Sequence, residues 1–495
     1  MTFDATDLVN SFRAAGAWID DGAMDLVPVP GMGMGAVAKR RIEPHTPLFH
    51  IPLNYLLSPW TSDLRNLLSP AEWESLEGGW ARLILVMMWE ESRPESRWGG
   101  YLRNMPREFD SPMFWGDSDR AELKGTDIED RIGREDAEAE YTGKMAPVIA
   151  ARPDLFAAAA HHFTLDAFHV QGSRILSRSF TIPQTRAGGP PPEGVDEDGD
   201  DEEEAEVAVM VPMADMLNAA YERDNARLFT DGEDDEDDEA AAAVGEQKFG
   251  EGYTMITTKV IEAGEQIYNT YASPPNSELL RKYGHIASRL TAEEIGGWAF
   301  GNAGDEVEIS GDIVVAAAAE LLGQPSFVDV AAERVDWWLE EGQEDVFGLS
   351  FPDPDEEDDD DDDVPVAPPA LIAFARLLSR DEDWARAEKR GKLPHTNPDP
   401  TSLGVIARAI RLRAARYPQT LEADLAVVAD QSPAIRLNVR NAAVVRLGEK
   451  RLLASTLRAV EAEKTRLEDK EKARETADGK RKAAAKKDTS VKRRK

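Results

Sequence analysis

Between Val207 and Ile286 the chain carries two apolar segments that each break off at side chains able to do chemistry. VAVMVPMADMLNAAYERDNARLF runs apolar and then sets Asp215, Asn218 and Asn225 in a polar turn that neither a continuing strand nor a continuing helix favours. YTMITTKVIEAGEQIYNTYASPPNSELLRKYGHI alternates as a strand and turns at Gly264-Glu265. It resumes as a short strand ending at Tyr271 and enters a helix capped near Asn276 or Ser277. Apolar segments that end in amides and phenols point to a site where they meet.

Around this stretch the 495 residues suffice for two or three domains. The formal net charge of -37 is unusual for such a chain, but 28 acidic residues sit in three runs, Glu193–Glu206, Asp231–Glu239 and Asp353–Asp363. Like charges repel and nothing apolar offsets chain entropy there, so these runs are expected to be solvated, disordered insertions that the core does not need. The absence of cysteine excludes disulfides and thiolate metal sites, and seven scattered histidines argue against a His-based one. No basic and apolar leader is evident at Met1, and no apolar run approaches the length of a membrane span. The expectation is a soluble intracellular protein.

In chain order, residues 8–20 read as an amphipathic helix through Leu8, Val9, Phe12, Ala15 and Ile19. A Gly-rich turn follows at Gly31–Gly35, without the strand-GxGxxG-helix order of a dinucleotide site. From Leu64 to about Phe168 the pattern is helical, with Trp80, Leu83, Val86 and Met87 on one face. Arg178 then lies in an apolar, strand-like ending, where a cation needs an anionic or carbonyl partner. After Ile286 strand and helix mix, and from PPALIAFARLL onward the chain is helical. Beyond Lys470 it turns basic, with nine Lys/Arg against one Asp in Lys480–Lys482 and Lys486–Lys495, which suits nuclear import or contact with nucleic acid.

Five segments, GMGMGAVAKRRI, SRILSRSF, PMADMLNAAYERDNA, GEQIYNTYASPPNSELLRKYGHI and YPQTLEADLAVVADQSPAIRLNVRNAAVVRLGEKRLL, occur in the order found in the SET-domain protein-lysine methyltransferases. Together they resemble the branch containing the Rubisco large-subunit and ribosomal-lysine methyltransferases. The resemblance covers nearly the whole chain and implies an α+β fold. A β-rich SET domain is split over 1–290, with a helical insertion at about 62–168 and acidic loops at 186–206 and 231–247. A mainly helical substrate-binding domain spans 291–468 with an acidic loop at 353–363, and a basic disordered tail covers 469–495.

The same resemblance implies S-adenosyl-L-methionine (AdoMet) as cofactor, held by Met32, Gly33 and Met34 and by Asn218 and Ala219. Ala219 stands where relatives more usually carry histidine, so a ring contact is lost while a backbone contact can persist. Arg178 is implied to lie near both cofactor and substrate lysine and Asp215 near the substrate. Tyr271 matches the catalytic tyrosine, and Tyr283 the aromatic residue on the adenosyl side. Taken singly, Tyr271 reads as packing and Asn218 and Asp215 as turn caps; the ordered set of motifs favours the functional roles.

Methyl transfer from a sulfonium to an amine needs a neutral nucleophile, whereas free lysine has a pKa of about 10.4. An apolar channel and the neighbouring sulfonium charge both disfavour the ammonium, and no metal is required. The expectation is therefore a monomeric lysine methyltransferase acting on a basic protein such as a ribosomal protein, which an acidic body attracts at long range. It needs no membrane and no direct nucleic acid, and its tail directs it to the nucleus, with the cytoplasm as a second location. The alternatives are a methyltransferase of histones or other nuclear proteins, and a non-catalytic acidic adaptor or chaperone for basic proteins.

Overall fold

A computed structural model describes residues 4–29, 32–191, 205–219, 223–230, 249–269, 274–287, 302, 304–323, 327–351, 366–430 and 432–492, with backbone alone at 327–330 and 478–492. They form two compact units: Met1–Phe114 with Gly133–Ser273, and Trp115–Ile132 with Pro274–Lys495.

The first unit opens with a helix, Ala5–Ala14, whose N-cap Asp4 accepts hydrogen bonds from the Thr6 and Asp7 amides. The apolar spacing extends this helix to residue 20, but Gly16 adopts φ 88° and the chain turns into strand β1, Trp18–Ile19. Eight strands follow: β2 (Met24–Val29), β3 (Gly33–Ala38), β4 (Pro47–Pro52), β5 (Ser179–Pro183), β6 (Glu206–Met210), β7 (Ala226–Thr230), β8 (Gly252–Thr257) and β9 (Gln266–Ile267). They pair as three small sheets, β1-β4-β8-β7, β2-β3-β9 and β5-β6. Sheets this small need a cover. The helix Ala81–Ser92 supplies part of it, burying Ile84, Leu85 and Met88 as well as Leu83, Val86 and Met87. Trp80, expected on that inward face, precedes the helix and is exposed. Phe12 packs edge-on against Phe49 and Tyr55, and Trp98 stacks on Tyr55 while its Nε1 donates to the Tyr55 carbonyl at 2.8 Å.

Two of the acidic runs enter between hairpin partners, after β5 and after β7. The Gln184 amide closes the first hairpin on the Ala205 carbonyl at 2.8 Å. Residues 192–204, 231–248 and 352–365, which hold almost all of the three runs, lie outside the described residues.

In the second unit a hairpin of β10 (Glu306–Ser310) and β11 (Val346–Ser350) accompanies the helices Gly311–Leu322, Pro369–Ser379, Pro400–Ala414 and Leu437–Lys492, around a core with Trp338, Phe374, Leu403 and Ile406. The resemblance places Trp115–Ile132 in the first domain's helical insertion and the boundary at 290; contacts correct both. Trp115, Leu123 and Ile128 bury against Leu280, Ala442 and Val445 of the second unit, and Asp127 Oδ1 accepts from Arg413 Nη2 at 2.7 Å. The helix Asn276–Tyr283 joins this unit through Leu280, so the units part at Ser273. The tail expected to be disordered continues the last helix to Lys492. Alanine, lysine, arginine and glutamate favour helix, and Glu463–Arg466 and Lys464–Glu468 pair along it.

Glu449, buried in that helix, accepts from Tyr417 Oη at 2.5 Å and from the Asp127 amide at 3.1 Å. Burial, aided by the Asp127 charge, pushes its carboxyl up to about 8, against Arg413. A group protonated when folded and ionised above about 4.3 when unfolded contributes stability that is lost as pH rises through 8. Glu449→Gln keeps the shape and removes this titration. The melting temperature of the variant is therefore expected to gain on the wild type between pH 5 and pH 8 in parallel thermal melts; a constant difference would contradict the assignment.

Candidate active site

The Gly-rich strand β3 runs against side chains brought from far along the chain. A Cβ added at Gly35 would lie 2.5 Å from Gln266 Oε1 and 2.7 Å from Asn218 Nδ2, so only glycine allows the approach. Asn218 Nδ2 donates to Gln266 Oε1 at 2.7 Å, and Gln266 Nε2 donates to Tyr268 Oη at 2.7 Å and to Met32 Sδ at 3.8 Å. The segment carrying Gln266 is itself fixed. Asn225 Nδ2 donates to the Gln266 carbonyl at 3.0 Å, the Tyr268 amide donates to Asn225 Oδ1 at 2.8 Å, and the Asn269 amide donates to the Asn218 carbonyl at 3.0 Å. Asn269 is buried and bridges both Ala219 and Ala226 in parallel register.

Beside β3 lies the short turn Ala214–Met216. Met213 enters it at φ 81°, a left-handed conformation that a non-glycine residue adopts only where its surroundings impose it. The turn buries the Asp215 side chain completely. Tyr101 Oη donates to Asp215 Oδ2 at 2.8 Å, while Arg178 Nη1 donates to the Asp215 carbonyl at 2.7 Å and stands 3.7 Å from Oδ2. Among the described residues Oδ1 has no hydrogen-bond partner. Burial pushes the Asp215 carboxyl up to about 6, with Arg178 and the Tyr101 hydrogen bond pulling the other way. The same burial holds the Tyr101 phenol well above 10. Arg178, read from sequence as part of a strand, is the last residue of the helix Leu165–Arg178, and β5 begins at Ser179. From that helix end its guanidinium reaches both the carbonyl and the carboxylate that a half-buried cation requires.

The sequence-derived residues thus fall into groups. Asn218 packs over Gly35, Gly33 and Met34 precede it on β3, Met32 meets the same Gln266, Ala219 pairs with Asn269, and Arg178 pairs with Asp215 beside the same strand. Tyr271 lies outside the described residues. Tyr283 belongs to the second unit, where it ends the helix Asn276–Tyr283 with its ring 5.8 Å from that of His285. Gly35, Gln266, Tyr268 and Tyr101 escape sequence reasoning. Gly35 has a signal in the G-M-G-M-G alternation, while Tyr101 is indistinguishable from the other aromatics of a helical block.

Solved structures of high likeness share one fold. The SET domain of LSMT bound to lysine and AdoHcy aligns with a TM-score of 0.60 at 18% identity, covering 94% of this chain and 92% of that one. Rubisco LSMT bound to sinefungin and monomethyllysine aligns with a TM-score of 0.59 at 18% identity, covering 95% and 94%. The chain therefore has the α+β fold of the SET-domain LSMT proteins, with a mainly helical C-terminal region. Residues 331–453 match the family model of the Rubisco LSMT substrate-binding domain.

Curated relatives narrow this further. Ribosomal lysine N-methyltransferase 4 of Saccharomyces cerevisiae is 31% identical over 261 residues, 51% of this chain and 49% of that protein. The N-lysine methyltransferase SETD6 of Homo sapiens is 29% identical over 261 residues, 51% and 48%. The chain spans about half the length of the curated relatives it matches. The resemblance carried by the five motifs, to SET-domain lysine methyltransferases of this branch, is upheld by the family model and the curated relatives, and the solved structures share its fold.

Because the Tyr101 hydroxyl stabilises the ionised Asp215, Tyr101→Phe is expected to raise the Asp215 midpoint above about 6. Carbon-13 titration of the aspartate carboxyls, with Asp215→Asn to assign the resonance, measures it. An unchanged midpoint would remove Tyr101 from the site.

Proposed function

We propose that this chain is an AdoMet-dependent protein-lysine N-methyltransferase. The observation that carries the reading is the close approach of Asn218 and Gln266 to Gly35 on the Gly-rich strand, flanked by Arg178 and the buried Asp215. Glycine alone lets these neutral amides pack onto the backbone of β3, with the Met32 thioether on the same glutamine, beside the Gly-rich turn where the resemblance puts the cofactor. Met32, Gly33, Met34, Arg178, Asn218 and the Ala219 backbone would hold AdoMet, which when bound supplies a methyl activated by its sulfonium.

The remaining work falls to this chain's side chains. The target lysine has to arrive neutral, and a channel that excludes water disfavours its ammonium. Tyr271 orients the amine through its hydroxyl. Its role rests on the NTY motif. Arg178, anchored on Asp215, fixes the turn that carries both Asp215 and Asn218.

The proposed substrate is a lysine of a basic protein, a ribosomal protein in the first instance. The formal charge of -37 attracts basic partners at long range, and the name of the yeast relative supports this class. A monomer suffices for the chemistry. The test is transfer of labelled methyl from AdoMet into a lysate of cells lacking the protein, followed by mass spectrometry of the labelled band. Labelling of a ribosomal protein is expected. Labelling of histones would move the substrate to the nuclear alternative, and absence of any labelling together with absence of AdoMet binding would leave the acidic adaptor. Tyr271→Phe is expected to bind AdoMet and to lose roughly 10²-fold in single-turnover rate; a wild-type rate would return Tyr271 to packing.

The basic clusters at the end of the last helix support a nuclear location, with the cytoplasm as a second site. Truncation at Asp478, in a fusion too large for passive diffusion, is expected to abolish nuclear accumulation. A truncated protein that remains fully nuclear would exclude the tail as the signal.

A further inference from the structure

We infer that Gln266 is a positioning residue that sets the polarity of the cofactor site through Asn218. The inference rests on the reading of that site as an AdoMet site, and it follows from the order in which three groups constrain one another.

A glutamine amide has one donor end and one acceptor end. Which end faces which neighbour is decided by the neighbour with the least freedom. Here that neighbour is Met32, whose thioether can only accept and lies 3.8 Å from Gln266 Nε2. The Tyr268 hydroxyl, 2.7 Å from the same nitrogen, is compatible with it. With Nε2 committed to this side, Oε1 is presented to Asn218. An amide oxygen cannot donate, so Asn218 turns its Nδ2 toward Gln266, at 2.7 Å. The Asn218 amide lies over Gly35. Its oxygen, Oδ1, is then left without a protein donor among the described residues.

An amide oxygen with no protein donor among the described residues, on a side chain packed beside the Gly-rich strand, selects a ligand that brings an N–H donor. An α-ammonium, such as the one in the amino-acid part of AdoMet, meets that requirement and would be repelled by an inverted Asn218 amide. Gln266 is well placed to hold the choice. Its strand pairs with β3 at Val37, and its own carbonyl accepts from Asn225 at 3.0 Å, so the side chain projects from an anchored backbone. Ala219 adds no side-chain group able to enforce the polarity, which leaves Gln266 to do so.

The experiment is calorimetry on the full chain with S-adenosylhomocysteine and with its analogue lacking the α-amino group, for wild type, Gln266→Leu and Gln266→Glu. Glutamate keeps an acceptor for Asn218 Nδ2 and another for the Tyr268 hydroxyl, so it preserves the Asn218 orientation. Leucine removes it. Wild type and Gln266→Glu are expected to prefer the amino-bearing ligand by roughly 10-fold or more, the effect of one charge-assisted hydrogen bond. Gln266→Leu is expected to bind both ligands with the same weakened affinity. A leucine variant that keeps the full preference would overturn the inference and leave the AdoMet reading standing. Wild-type protein that binds neither ligand would overturn that reading and the inference with it.

Discussion

The hydrogen bond from the Asn269 amide to the Asn218 carbonyl joins two stretches of chain that otherwise share no strand. It helps hold the Asn218 amide against Gln266, where both crowd Gly35. The same crossing is secured twice more, by the exchange between Asn225 and the backbone at Gln266 and Tyr268, and by the parallel bridges from Asn269 to Ala219 and Ala226. Asparagine serves this purpose because its side chain offers both a donor and an acceptor at short reach. An aspartate at Asn225 would lose the donation to the Gln266 carbonyl and place a charge among partly buried polar groups.

A second constraint is electrostatic. The first unit buries a carboxyl at Asp215 and the second buries one at Glu449, and each is held by a tyrosine hydroxyl and an arginine. Burial disfavours the charge in both. At Asp215 the carboxyl is raised to about 6, so the ion pair with Arg178 is present at neutral pH. At Glu449 the value near 8 leaves the group largely protonated there, and Arg413 turns instead to Asp127, 2.7 Å away. The same residue types therefore give a charged pair in the site and a neutral acid in the helical unit, separated by how much each environment compensates desolvation.

The acidic character of the chain is compatible with both because it is segregated. Two of the runs enter at hairpin connections, where insertions leave strand pairing intact. The β5-β6 and β7-β8 ladders keep full register on either side, so length and charge can accumulate between the strands without cost to the core.

What the sequence by itself determined follows from local rules. Apolar periodicity and turn residues define the helical block and the insertions, because each depends on a few neighbours in the chain; the α+β class and the grouping of Met32, Gly33, Asn218, Arg178 and Asp215 are what the resemblance carried by the motif order implies. Only the tertiary structure decided the rest. Nothing near Gln266 in sequence announces that its amide will meet Asn218 above Gly35, and nothing near Tyr101 that its hydroxyl will reach Asp215. The first helix ends early because Gly16 takes a positive φ in its fold context, and Trp115–Ile132 joins the second unit because its apolar face finds Leu280 and Val445. These outcomes are set by contacts between residues far apart in the chain, which local propensity and spacing do not encode.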